Sequence, residues 1–190
     1  MAKGVSIFRV IFFLTCIALP SSVNCQVTPL QASYQKAFSR PVKDSTENQR
    51  LYAWTQKWLH VRENNNDNRS SIIDKWNKDA NVPLGSNWCG SYVFAGQQYM
   101  GWASPSAPAW TPAWNKASER IAKPDTGDKF LLYYPNLKRI GHIGFVIDVD
   151  EHSIVTSEGN TNVAGSRTGI GVFNRRRPKS SVRSFVRWKG

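Results

Sequence analysis

The sequence predicts an α+β domain in which N-terminal helices pack on a C-terminal antiparallel β-sheet. Helical spacing of apolar residues is confined to the chain before residue 101. From Asp128 onward come short runs rich in β-branched and aromatic residues, KFLLYY, IGFVIDV, SIVTS, GIGVF and SFVRW, separated by turn-forming pairs. Helices first and strands afterwards favour segregated layers over alternating βα units. A length of 190 residues suits one domain, and 41% hydrophobic content against 20% charged, with 8 Trp, supplies a core.

The first 25 residues stand apart. Lys3 and Arg9 precede a short apolar run, VIFFLTCIAL, which leads through Pro20, Ser21, Ser22, Val23 and Asn24 to Cys25. That is the shape of a secretory signal peptide, and the run is short for a transmembrane span. Cleavage after Cys25 is the reading adopted, which implies a secreted or periplasmic protein. The alternative is a lipoprotein anchored at Cys25, although Asn24 is an awkward residue before a lipid-modified cysteine; only that alternative brings the chain to a membrane. Residues 26–44 form a polar lead-in, and residues 45–190 the main domain.

Within that domain, Thr46-Glu-Asn-Gln49 has the spacing of a capping box, followed by Leu51, Trp54, Trp58 and Val61 at helical intervals. NNNDN at 64–68 is a loop. A second helix is expected after Ser70 or Ser71, with Ile72, Trp76 and Ala80 on one face. Pro83 and Gly85 then mark a turn, with Ser86 or Asn87 as cap of a third helix that Trp88, Tyr92, Ala95 and Tyr99 anchor on the core. Residues 101–115 carry Trp102, Trp110 and Trp114 among prolines, so they read as a semi-rigid loop, either lining a groove for sugar or peptide or packing down as a lid over the core. Pro135-Asn136, Asp150-Glu151 and Gly159-Asn160 are expected turns between strands.

Removing the signal segment leaves Cys89 as the only cysteine of the main domain. In an oxidising compartment such a thiol is either buried and inert or reactive. Cys89 falls in the first turn of the third helix, where unpaired backbone N–H groups and the helix dipole stabilise a thiolate. A nucleophilic cysteine needs a base and a polar group to orient that base. Of the 3 His, His60 follows the first helix and His152 sits in a hairpin turn, so both read as surface residues. His142, in GHIGFVI, opens a central strand, and Gly141 and Gly144 leave room beside it for another chain or a substrate. Glu158 and Asn160, two apart in SIVTSEGNTN, share one face if the strand runs that far, and either can accept the imidazole N–H. A zinc site is disfavoured because the main domain lacks a second cysteine and has no HExxH motif, and no cofactor is called for.

Four motifs in order, WCGSYV, TGDKFLLY, GHIGFV and SEGNTN, resemble the cysteine- and histidine-dependent amidohydrolase/peptidase (CHAP) family, related to NlpC-type and papain-like peptidases. The likeness covers residues 70–190. It implies a papain-like fold with Cys89 as nucleophile, His142 as general base, and Glu158 and Asn160 at the orienting positions. It also implies a peptidoglycan or muropeptide substrate, cut as an N-acetylmuramoyl-L-alanine amidase or as a peptide endopeptidase. The separate wall-binding repeats of many relatives are not seen in this sequence.

A second function class comes from charge. The chain carries 25 Lys and Arg against 13 Asp and Glu, a formal charge of +12. Residues 167–189 hold Arg167, Arg175, Arg176, Arg177, Lys179, Arg183, Arg187 and Lys189 and no acid. Such a tail suits a secreted protein that binds anionic wall polymer, lipopolysaccharide or, less favoured, nucleic acid without catalysis. The two classes part on Cys89: a binder tolerates its loss and a hydrolase does not.

Overall fold

The first helix, α1 (Thr46–Lys57), carries Glu47 in its first turn and Lys57 in its last, both matched to the helix dipole. This is a computed structural model that describes residues 46–164 and 169–189. The signal and lead-in assignments, 1–25 and 26–44, lie outside the described residues, as does Arg167. Thr46 lies within α1 instead of flanking it as a cap. Leu51 and Trp54 are buried as the spacing requires, and Trp58, in the turn beyond the helix, is half-buried.

Helix α2 (Ser71–Asp79) is capped by Ser70, whose hydroxyl accepts the Ile73 N–H at 3.3 Å. It buries Ile73, Trp76 and Asn77, with Ala80 just beyond; Ile72, expected on the buried face, is half-buried.

Helix α3 (Cys89–Met100) begins one residue later than an Asn87 cap implies and two later than a Ser86 cap. Trp88 is its N-cap and makes no side-chain capping bond, so neither Ser86 nor Asn87 holds that place. Its buried stripe is Cys89, Tyr92, Val93, Gly96, Gln97 and Met100, a helical progression counted from Cys89. The anticipated anchors Ala95 and Tyr99 fall off that stripe, and Tyr99 is 49% exposed. The helix ends at Gly101, whose φ of 73° is the left-handed conformation a terminating glycine supplies.

Six strands form one antiparallel sheet in the order β1-β6-β2-β3-β4-β5. They are β1 (Arg120–Ile121), β2 (Lys129–Tyr134), β3 (Arg139–Val149), β4 (Ser153–Thr161), β5 (Gly171–Pro178) and β6 (Ser184–Val186). The five sequence-predicted runs are all strands; β1, a two-residue pair to β6, had no signal of its own. Gly159-Asn160 is not a turn: β4 runs through it, and a register shift between Glu158 and Thr161 leaves Asn160 at φ 54°.

Aromatic contacts hold the helices on the sheet. Trp54 meets Tyr92 at 5.1 Å and Phe145 at 6.1 Å, Trp76 meets Tyr92 at 5.4 Å, and Tyr92 meets Phe145 at 6.2 Å. Such pairs each contribute about 0.5–1.5 kcal/mol beyond area burial. The opposite face of the sheet has its own apolar cluster, Phe130, Leu132, Val146 and Ile154. Residues 101–115 pack down at Trp102 and Trp114, which are buried, and leave Trp110 outward. Among the described residues no helix is long and apolar enough to cross a membrane.

Candidate active site

Cys89 is fixed from both sides of its helix turn. The Asn77 side chain donates to the Ser86 carbonyl at 3.2 Å and accepts the Ser91 hydroxyl at 2.7 Å, tying α2 to the segment that enters α3. Trp88 is buried, and its indole N–H donates to Glu63 at 2.9 Å. Cys89 therefore starts α3 with the free N–H groups of a helix terminus around it, and 4% of its surface stays exposed.

His142 lies on β3 directly opposite Leu132 of β2, next to the point where the β2–β3 register shifts. It is fully buried, and its Nε2 is 2.8 Å from Glu158 Oε2. Its Nδ1 is buried without a hydrogen-bond partner among the described residues, and Cys89 is near enough to the imidazole to interact with it. Burial opposes a charge on this imidazole, but the interactions with Cys89 and Glu158 outweigh it and raise its pKa to about 9.

Glu158 is also fully buried and accepts on both oxygens. Arg177 of β5 grips it with two bonds, Nε to Oε1 at 2.6 Å and Nη2 to Oε2 at 2.7 Å, and the Thr156 hydroxyl lies 2.5 Å from Oε1. Burial alone would raise this carboxyl's pKa; Arg177 and His142 reverse that and bring it down to about 2. The result is a relay of polar groups, Cys89, His142, Glu158 and Arg177, set beside Phe130, whose ring lies 6.1 Å from the imidazole and 5.5 Å from the guanidinium.

The glycines of the motifs make room for this relay, not for a visiting chain. A Cβ on Gly144 would lie 2.7 Å from Phe130 and 3.0 Å from Glu158 Cγ, and one on Gly141 would meet Tyr134 at 2.7 Å. The space expected beside His142 is thus filled by the protein's own side chains. A Cβ on Gly159 would lie 2.6 Å from the Tyr92 Cβ, so this glycine lets the first turns of α3 approach β4.

Asn160 does not bond His142. Its amide Nδ2 donates to Asn87 Oδ1 at 3.1 Å, two residues before Cys89, and its own Oδ1 is buried with no hydrogen bond among the described residues. The left-handed bulge turns it away from the line that Glu158 follows. His60 and His152 are exposed and stand apart from the relay, the latter beside Glu151 at 3.7 Å. Among the described residues no group of three or more His, Cys, Asp or Glu side chains is placed to hold a metal ion.

Two partners of Glu158, Arg177 and Thr156, escaped sequence reasoning. Arg177 stood in the basic run assigned to polymer binding, and only the β4–β5 register, with Arg177 opposite Ile154, brings it to Glu158. Its neighbours are engaged too: Arg175 donates to the carbonyls of Asn162 and Val163, and Arg176 pairs with Asp150. Arg187 grips Asp128 through two bonds, at 2.8 and 2.7 Å. Comparison with protein-family models and with curated proteins finds no match to this chain.

Proposed function

We propose that the protein is a secreted cysteine hydrolase that cleaves an amide bond of peptidoglycan, with a papain-like arrangement of helix and sheet. The observation that carries this reading is the buried pair His142–Glu158, hydrogen-bonded Nε2 to Oε2 at 2.8 Å, with the helix-terminal Cys89 interacting with the same imidazole. A buried carboxylate on one imidazole nitrogen fixes the ring and favours its protonated form, which suits it to take the proton of Cys89. The four sequence motifs support the choice of wall peptide as substrate.

In this mechanism the Cys89 thiolate attacks the amide carbonyl, and the electron pair of the C=O bond moves to oxygen. N–H groups of the first turn of α3, that of Cys89 included, stabilise the oxyanion. As the C–N bond breaks, imidazolium His142 gives its proton to the leaving nitrogen. The resulting thioester is resolved by water, whose proton passes to His142, and the carboxylic acid leaves as Cys89 returns to its starting state. Glu158 holds the ring throughout, and Arg177 holds Glu158.

Purified peptidoglycan digested with the protein and analysed by mass spectrometry tests the proposal. Free lactyl-sugar ends identify an amidase, and split stems or cross-links an endopeptidase. Unchanged muropeptides would refute the substrate. Solubilisation by a Cys89→Ala protein equal to the native one would refute the mechanism.

A further inference from the structure

Trp110 and Arg139 lie outside the relay, yet both are tethered to it. The carbonyls of Pro108 and Ala109 come within 2.7 and 2.8 Å of where a Cβ on Gly90 would sit, so their loop rests on the residue after Cys89. The Thr111 hydroxyl donates to the Ile140 carbonyl at 2.9 Å, two residues before His142. Trp110 stands between these two anchors. Trp114 stiffens the loop from beneath: it is fully buried and its indole N–H donates to the Pro108 carbonyl at 2.8 Å.

On this braced loop Trp110 is 50% exposed, which is unusual for a ring so close to packed structure. The Arg139 guanidinium lies over it, 4.3 Å from the ring centroid, and Nη1 donates to the Ile140 carbonyl at 2.9 Å. Stacking and that bond fix the plane of the guanidinium. Among the described residues no carboxylate pairs with Arg139, as is also true of Arg62, Arg120, Arg175 and Arg183; of these only Arg139 is stacked on a ring of the loop that rests on Gly90. A stacked, oriented guanidinium with donors left over is the arrangement that takes a carboxylate through two parallel hydrogen bonds.

We propose that Trp110 and Arg139 form a subsite for a free carboxylate carried close to the scissile amide. The proposal rests on the hydrolase reading and narrows its substrate to anionic stem peptides. In a wall peptide the matching group is the α-carboxylate of the γ-linked D-glutamate, adjacent to the first stem amides. Amidation of that carboxylate to D-isoglutamine keeps the size and removes the charge, which gives a matched pair of probes.

The test titrates N-acetylmuramoyl-L-Ala-D-Glu and N-acetylmuramoyl-L-Ala-D-isoglutamine, each with its γ-carboxyl capped as the N-methylamide so that only the α-group differs, into the full chain carrying Cys89→Ala, by calorimetry. The carboxylate form should bind about tenfold tighter, as expected for one charge-assisted bidentate contact at a partly exposed site. Adding Arg139→Gln should reduce that preference to less than about twofold while leaving the thermal midpoint unchanged. Trp110→Leu, which removes the support of the guanidinium, should also shrink it. Equal affinity for the two probes, binding of neither, or a preference that survives Arg139→Gln would overturn the subsite. Cleavage by the native protein is scored separately: carboxylate preference without any cleavage would defeat the hydrolase reading and leave the subsite standing.

Discussion

Glu158 illustrates how much one side chain is asked to do. A buried carboxylate without partners would be neutral, but Arg177 supplies a full counter-charge and His142 a proton donor, so it stays ionised. Replacing Glu158 with Gln keeps the shape and removes the charge. Turnover should fall roughly 10²-fold, and the alkaline limb of activity, set by loss of the His142 proton near pH 9 in the native protein, should move to lower pH. The sign follows because an anionic neighbour favours the imidazolium, so its removal lowers that pKa. A pH–rate profile of both proteins decides it; Asn160→Ala, which does not touch His142, should leave the limb in place. Cys89→Ala and His142→Ala should each cut hydrolysis by at least about 10³-fold with the folded state retained by circular dichroism. Removing Arg177 has a different consequence, because it strands a buried charge. Arg177→Met should lose about 3–5 kcal/mol of stability in denaturant titration, and Arg177→Lys should recover part of it.

At the scale of elements, the site depends on how closely α3 approaches the sheet. Cys89 and His142 come from different layers, and the contact of Tyr92 with Gly159 and Phe145 sets how closely those layers approach. Gly96 plays the matching part further along, since a Cβ there would lie 2.6 Å from the Phe145 ring. Gly159→Ala should therefore cost about 1–3 kcal/mol by overpacking. It should also slow alkylation of Cys89 by a thiol reagent, because the helix start moves away from His142. A surface Gly→Ala change would do neither, so stability and labelling rate measured together isolate the close approach. The bulge at Asn160 belongs to the same contact: it lets β4 continue past Glu158 while presenting the next amide to Asn87 instead of to His142.

For the whole molecule, burial orders the access to the relay and links it to stability. Cys89 keeps 4% of its surface exposed while His142 and Glu158 keep none, so of the three only the thiol reaches the surface at all. The same buried charges make folding pH-dependent. His142 is raised from 6.5 to about 9, so its contribution is complete below pH 6.5 and is lost as pH rises through 9. Glu158 is lowered from 4.5 to about 2, so its contribution is present above pH 4.5 and is lost as pH falls through 2. Thermal midpoints should fall on both sides of neutrality, and Glu158→Gln should flatten part of the acid side; the remainder belongs to Asp150, which Ser153, His152 and Arg176 also hold at lowered pKa despite some burial. Most arginines of the basic run are tied to partners in the fold, so charge neutralisation there tests structure as well as polymer binding.

The α+β class, five of the strands, the placement of α1, α2 and α3, and the residues Cys89, His142 and Glu158 were legible in the sequence. Each rests on local information: apolar period, turn residues, and reactive side chains beside glycines. Tertiary structure decided the rest. Trp88 rather than Ser86 or Asn87 caps α3, with its indole bonded to Glu63 across the chain, and packing on the sheet buries Val93, Gly96, Gln97 and Met100 while leaving Ala95 and Tyr99 off the buried stripe. Gly144 and Gly159 were visible as glycines, but what fills the space beside them comes from other strands and from the helix. Glu158 and Asn160 stand two apart in a row of letters that reads as a regular strand or a turn, and the bulge that separates their roles is set by pairing with β5. Arg177 reaches Glu158 by that same register, across 19 residues, and strand register is a property of pairing that no single segment carries.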